Sequence, residues 1–80
     1  MISRRDAIRA LYAQVAAPDW ASPNLDGLVD VLRDLSWLPE GEVVLTVPDG
    51  LTADDEAVLR RVLAGVVVDT AGGPRPVVLA

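Results

Sequence analysis

Apolar residues recur at helical spacing early in the chain. Ile8, Leu11, Tyr12 and Val15 fall at i, i+3, i+4 and i+7, the stripe of an amphipathic helix. Ser3 and Asp6 form a capping box at its start. Pro18 ends it, because the residue before a proline is pushed out of helical geometry. A loop from Pro18 to Pro23 carries Trp20, and Asn24 is then the N-cap of a second helix. Leu25, Leu28, Val29 and Leu32 repeat the apolar spacing there, which leaves Asp26, Asp30, Arg33 and Asp34 on the opposite side.

The pattern then changes period. Pro39-Glu40-Gly41 reads as a turn, and Val43 to Val47 is a near-continuous β-branched and aliphatic run of the length of a buried strand. After Pro48-Asp49-Gly50, Thr52 and Asp55 form a second capping box, and Val58, Leu59, Val62, Leu63 and Val66 mark the inner face of a third helix. Gly65 and the run Val66-Val67-Val68 depress helix propensity, so a late switch to strand is an alternative there. Gly72-Gly73 stops the helix, Pro74 and Pro76 keep the chain from resuming it, and Val77-Val78-Leu79-Ala80 is a terminal strand. Strand, helix and strand in this order make one βαβ crossover with parallel strands. A single domain over residues 1–80 follows, a small α/β fold.

Composition narrows the chemistry. The 80 residues contain no Cys and no His, which removes disulfides, thiolate metal sites and every nucleophile paired with histidine. The expectation is a protein that is not an enzyme, with no catalytic residues, cofactor or metal. Met1 to Arg9 is charged and has no apolar segment behind it, and no apolar run approaches a membrane span, so a cytoplasmic location is expected. The net charge of −5 is unevenly spread. Both ends are mildly basic, whereas Asp19 to Leu59 holds ten acids against Arg33 alone. Such a middle repels nucleic acid and anionic membranes and steers toward a cationic partner. Acids that merely keep a small domain soluble would give the same count.

The block from Pro18 to Leu32, PDWASPNLDGLVDVL, resembles the signature of barstar-like ribonuclease inhibitors. In that family a loop with proline and an aromatic residue leads into an Asn-capped helix of the form N-L-D-x-L-x-D-x-L. Asn24, Leu25, Asp26, Leu28, Asp30 and Leu32 match every defined position. The order of elements around the block fits as well. The resemblance implies a barstar-like fold, a parallel sheet of two to three strands packed with about three helices. Three departures stand out. The family opens with a β-strand for which only Met1 and Ile2 remain here, and it often has a short extra helix where this chain has the turn before Thr52. Within the signature, Ser22 replaces a common glycine and Val29 a large aromatic, often Trp.

The implied activity is inhibition of a basic ribonuclease by occlusion of its active site. Asp26 and Asp30 are four apart, so they project one turn apart from the same helix face. By resemblance, Asp30 takes the place of the RNA phosphate, Asp26 engages a neighbouring cation or a catalytic histidine of the enzyme, and Trp20, Asn24 and Val29 complete the partner-binding set. Each residue also has an ordinary structural role open to it. The acids are common on a solvated helix face, Asn24 caps the helix in any case, and Trp20 serves equally as a lid over the core. Tyr12 and Trp37 read as core residues, with Trp37 also placed to border the binding face, and Asp69 as a peripheral acidic contact. The expected state is a monomer that contacts no nucleic acid directly. An immunity protein, or a binding module for a different basic partner on the same fold, is the alternative. An acyl carrier protein is excluded, because the second helix lacks the serine that would carry its prosthetic group.

Overall fold

The computed structural model describes residues 1–80. The chain folds as α1 (Arg4–Gln14), α2 (Leu25–Asp34), β1 (Val43–Leu45), α3 (Ala53–Thr70) and β2 (Val77–Leu79). Each helix starts at the residue whose side chain suits it. Ser3 Oγ accepts from the Asp6 amide at 3.0 Å, Asn24 Oδ1 from the Gly27 amide at 2.7 Å, and Thr52 Oγ1 from the Asp55 amide at 3.2 Å. Each of these bonds satisfies one of the donors that a helix start leaves without a partner.

The sheet has two strands. β1 and β2 run parallel, with Val43 opposite Val77, Val44 opposite Val78 and Leu45 opposite Leu79. α3 provides the crossover between them. No strand forms at the N-terminus, where Ile2 instead donates its amide to the Gly50 carbonyl at 2.9 Å. The first strand that the resemblance suggested is therefore not part of the sheet. β1 is also shorter than the run Val43–Val47, since Thr46 and Val47 lie beyond its pairing.

α3 continues through Gly65 and the three valines to Thr70, and no switch to strand occurs. Burial outweighs propensity here, because Val66 is buried and Val67 packs against the core, while Gly65 faces open space. Thr70 fixes the end of α3 to the sheet: its hydroxyl donates to the Val66 carbonyl at 2.9 Å and accepts from the Val77 amide at 2.9 Å.

One core holds the elements together. It joins Ala7, Ile8, Leu11, Tyr12 and Val15 from α1 and its C-cap to Leu28, Val31, Leu32 and Leu35 from α2 and its C-cap. Leu45, Leu59, Leu63, Val66 and Val77 complete it. On α2 the buried stripe is rotated from the expected one. Leu28, Val31, Leu32 and Leu35 are buried, whereas Leu25 and Val29 are only half-buried. Leu35 is fully buried in the left-handed region, at φ 46°, a conformation that costs a non-glycine residue about 1–2 kcal/mol. Its burial holds it there. α1 also ends before Pro18 requires it. The helix stops at Gln14, and Ala16 turns left-handed at φ 50°. That turn frees the Val15 carbonyl to accept from Trp37 Nε1 at 2.9 Å. No helix is long and apolar enough to cross a membrane.

Candidate functional site

α2 is the element on which the candidate residues meet. Its buried stripe is set by Leu28, Val31 and Leu32, so residues at other angles on the helix must face outward. Asp26, Asp30 and Asp34 are all exposed. They fall at four-residue steps and therefore rise along one side of the helix, one turn apart. Neither Asp26 nor Asp30 has a cation of its own chain. The two ion pairs of the molecule are Arg33 with Asp69 at 3.9 Å and Arg60 with Glu56 at 3.3 Å. Arg33 and Asp69 are half or more exposed, and their contact spans α2 and α3. Asp69, read from the sequence as a peripheral acidic contact, is thus engaged with a residue of its own chain.

Asn24 is exposed at the start of α2 and its side chain is occupied by the cap. Helix N-termini favour negative charge, and Asp26 lies in that first turn. Val29 is half-buried and packs against the core, so only part of its side chain is open to a partner. Trp20 does project. At 65% exposure it is not a lid over the core but a large apolar group held in solvent by the loop before α2.

That loop is closed around Trp20 by the Ala21 amide, which donates to the Pro18 carbonyl at 3.0 Å, and Ala21 packs against the core; one side chain of α1 also reaches it, at the Ser22 carbonyl. Ser22 O accepts from the Tyr12 hydroxyl at 2.5 Å and from the Asn24 amide at 2.9 Å. Tyr12 is a core residue, as its place in the helical stripe suggested, but its hydroxyl reaches out of the core to the loop. Burial raises the phenol above the ordinary tyrosine range, and the charge of Asp30 acts in the same direction. Trp37 is half-buried behind α2 and hydrogen-bonded to Val15, which makes it a brace between α2 and α1. The sequence offered no signal for either hydrogen bond, since each joins residues ten or more apart through a backbone carbonyl. No group of three or more Asp and Glu residues is arranged to hold a metal ion.

The arrangement is suited to charge recognition. Two unpaired carboxylates on a rigid helix, with an exposed indole on the adjoining loop, can accept charge-assisted hydrogen bonds from a cationic cleft. No curated protein and no solved structure matches the chain significantly. The sequence model of one family, described as barstar (barnase inhibitor), matches residues 1–71, a span that takes in α1, α2, β1 and α3. The chain belongs to the barstar family.

Proposed function

We propose that this protein inhibits a barnase-type ribonuclease by seating the acidic side of α2 in the enzyme's active site. A ribonuclease must bind a phosphodiester and stabilise the added negative charge of its transition state, so its cleft presents cations and hydrogen-bond donors. Asp30 occupies the phosphate position, Asp26 engages a second basic group beside it, and Trp20 packs over the edge of the contact with Val29 and the Asn24 turn around it. RNA is excluded by charge and by volume, and this chain performs no chemistry. It acts as a monomer on a protein partner in the cytoplasm.

The observation that carries the reading is the barstar family match over residues 1–71, which takes in α2, together with the exposure of Asp26 and Asp30 on that helix, whose other side is core. Neither carboxylate is taken up by an ion pair within the chain. The direct test is an RNA cleavage assay with barnase as the probe enzyme. Stoichiometric inhibition by the parent protein is expected, with strong loss on Asp30→Ala and little change on Asp54→Ala. Equal losses in the two variants would place the contact elsewhere. Val29, small and half-buried where the family often carries a large aromatic, favours a second reading in which the partner is a different basic nuclease. Cleavage by barnase that continues unaffected, together with capture and inhibition of another cationic nuclease, would select that reading.

A further inference from the structure

We propose that Tyr12 is a positioning residue for the binding face: its hydroxyl holds the Ser22 carbonyl against Gly27 and thereby fixes the loop bearing Trp20 in place beside the acids of α2. The inference rests on the proposed function for what the face binds, but the positioning itself is a property of the free protein.

Four groups converge on one point beneath the acidic side of α2. Ser22 O takes the Tyr12 hydroxyl and the Asn24 amide, which together fill the two lone-pair positions of that carbonyl. Asn24 in turn accepts from the Gly27 amide at 2.7 Å. Gly27 lies against all of them. A Cβ there would collide with the Ser22 carbonyl and would stand 3.0 Å from the Tyr12 hydroxyl and 3.2 Å from Asn24 Oδ1. Glycine is a poor helix former, yet it occupies the first turns of α2, between Asp26 and Asp30. Here the missing side chain lets the loop carbonyl come down onto the helix. A large side chain in the core of α1 supplies the donor that keeps it there.

The consequence for binding follows from chain geometry. Trp20 is two residues from Ser22 and is exposed; the turn that bears it is closed by the Ala21 amide on the Pro18 carbonyl and rests on the core through Ala21, and the Tyr12 hydroxyl fixes the far side of that turn at Ser22. A loop that is already ordered in the free protein does not have to lose that freedom on association, and preorganisation of this kind mainly slows dissociation. Phenylalanine at position 12 would fill the same core space without the donor. The hydroxyl is therefore separable from the packing.

The experiment uses full-length protein with Trp37→Phe, which leaves Trp20 as the one indole, and compares it with the same protein carrying Tyr12→Phe or Gly27→Ala. A core variant remote from the loop, Val77→Ala, controls for general destabilisation. In the free protein, Trp20 fluorescence anisotropy should fall in Tyr12→Phe and in Gly27→Ala but not in Val77→Ala. With barnase as the probe, dissociation should speed up several-fold in Tyr12→Phe while association changes by less than about twofold, and Trp20→Ala should cost less affinity once the hydroxyl is gone. Unchanged anisotropy in both loop variants overturns the proposal, as does an equal fall in Val77→Ala. Should the parent protein not bind barnase at all, the proposed target is wrong and the anisotropy still decides whether Tyr12 positions the loop. Should Tyr12→Phe not fold, Gly27→Ala carries the same comparison.

Discussion

Replacing Asp30 by Asn preserves the shape of the side chain and removes its charge, and the expected effects on stability and on binding have opposite signs. Asp26, Asp30 and Asp34 stand at four-residue intervals on α2, all exposed. Like charges at this spacing destabilise a helix by roughly 0.2–0.5 kcal/mol per pair. Neutralising the middle acid relieves two such pairs, about 0.4–1 kcal/mol in total. Little offsets the gain. Arg33 is near in sequence but pairs with Asp69 on α3. Asp30 also lies beyond the first turn, where the helix dipole would reward a carboxylate. Asp and Asn have similar helix propensities. The free variant should therefore melt about 2–8 °C higher than the parent, on the usual scale for a domain of this size. The gain should shrink in high salt as the repulsion is screened. Binding should move the other way, with a loss of at least about 2 kcal/mol, near 30-fold, as expected of a charge at the centre of a contact. Thermal melts at two salt concentrations and a calorimetric titration with barnase read both quantities. A lower melting temperature would mean that Asp30 makes a stabilising contact within the fold, and unchanged affinity would remove it from the binding face.

Other outcomes follow from the same geometry. Association with a cationic ribonuclease should slow as salt is added while dissociation changes much less, because long-range steering is screened and the desolvated contact is not; stopped-flow rates that do not depend on salt would contradict this. Leu32→Ala should destabilise the protein by roughly 2–5 kcal/mol in urea unfolding, since the side chain is fully buried in the core, and a cost below about 1 kcal/mol would mean the core can close over the gap. The phenolate absorbance of Tyr12, the sole tyrosine, should appear at higher pH than that of free tyrosine. Because the folded state favours the protonated phenol, this stabilising contribution is complete below the unfolded pKa of about 10 and is lost as pH rises through the folded value. A midpoint at or below that of free tyrosine would refute the burial that causes the shift.

Local chemistry accounts for what could be read along the chain. Ser3, Asn24 and Thr52 begin helices because each side chain satisfies an amide within three residues, and such short-range bonds leave a signature in sequence. The exposure of Asp26 and Asp30 followed from helical period alone. The features that escaped are those set by distant neighbours. The buried stripe of α2 turned toward Val31 and Leu35, leaving Val29 half-buried, because the surface it packs on is supplied by α1 and α3. α3 kept its valines helical because Val66 is buried. Gly27 gave no sign of its role. In sequence it is an unfavourable residue in a helix, and only the approach of the Ser22 carbonyl explains it. Trp20 and Trp37 are alike as residue types, yet one is exposed and the other braces α2.

These long-range bonds share a frame. The helix that carries the acids is held at both ends by α1: at its start through the Tyr12 hydroxyl and Ser22, and beyond its end through Trp37 and the Val15 carbonyl. α1 is itself anchored to the sheet by a side chain. Gln14 Nε2 donates to the Thr46 carbonyl at 2.8 Å, and its Oε1 accepts from the Thr46 amide at 2.9 Å. A carboxamide presents the same donor and acceptor as a peptide unit, so Gln14 pairs with the chain just past β1 much as a neighbouring strand would. The sheet itself has only two strands, and Gln14 adds two hydrogen bonds next to it. A two-stranded sheet is a weak base for a rigid surface. Tying it to α1, and α1 to both ends of α2, gives the acidic helix a fixed setting without a larger core, and that setting is what a charge-based contact needs to hold two carboxylates at one spacing.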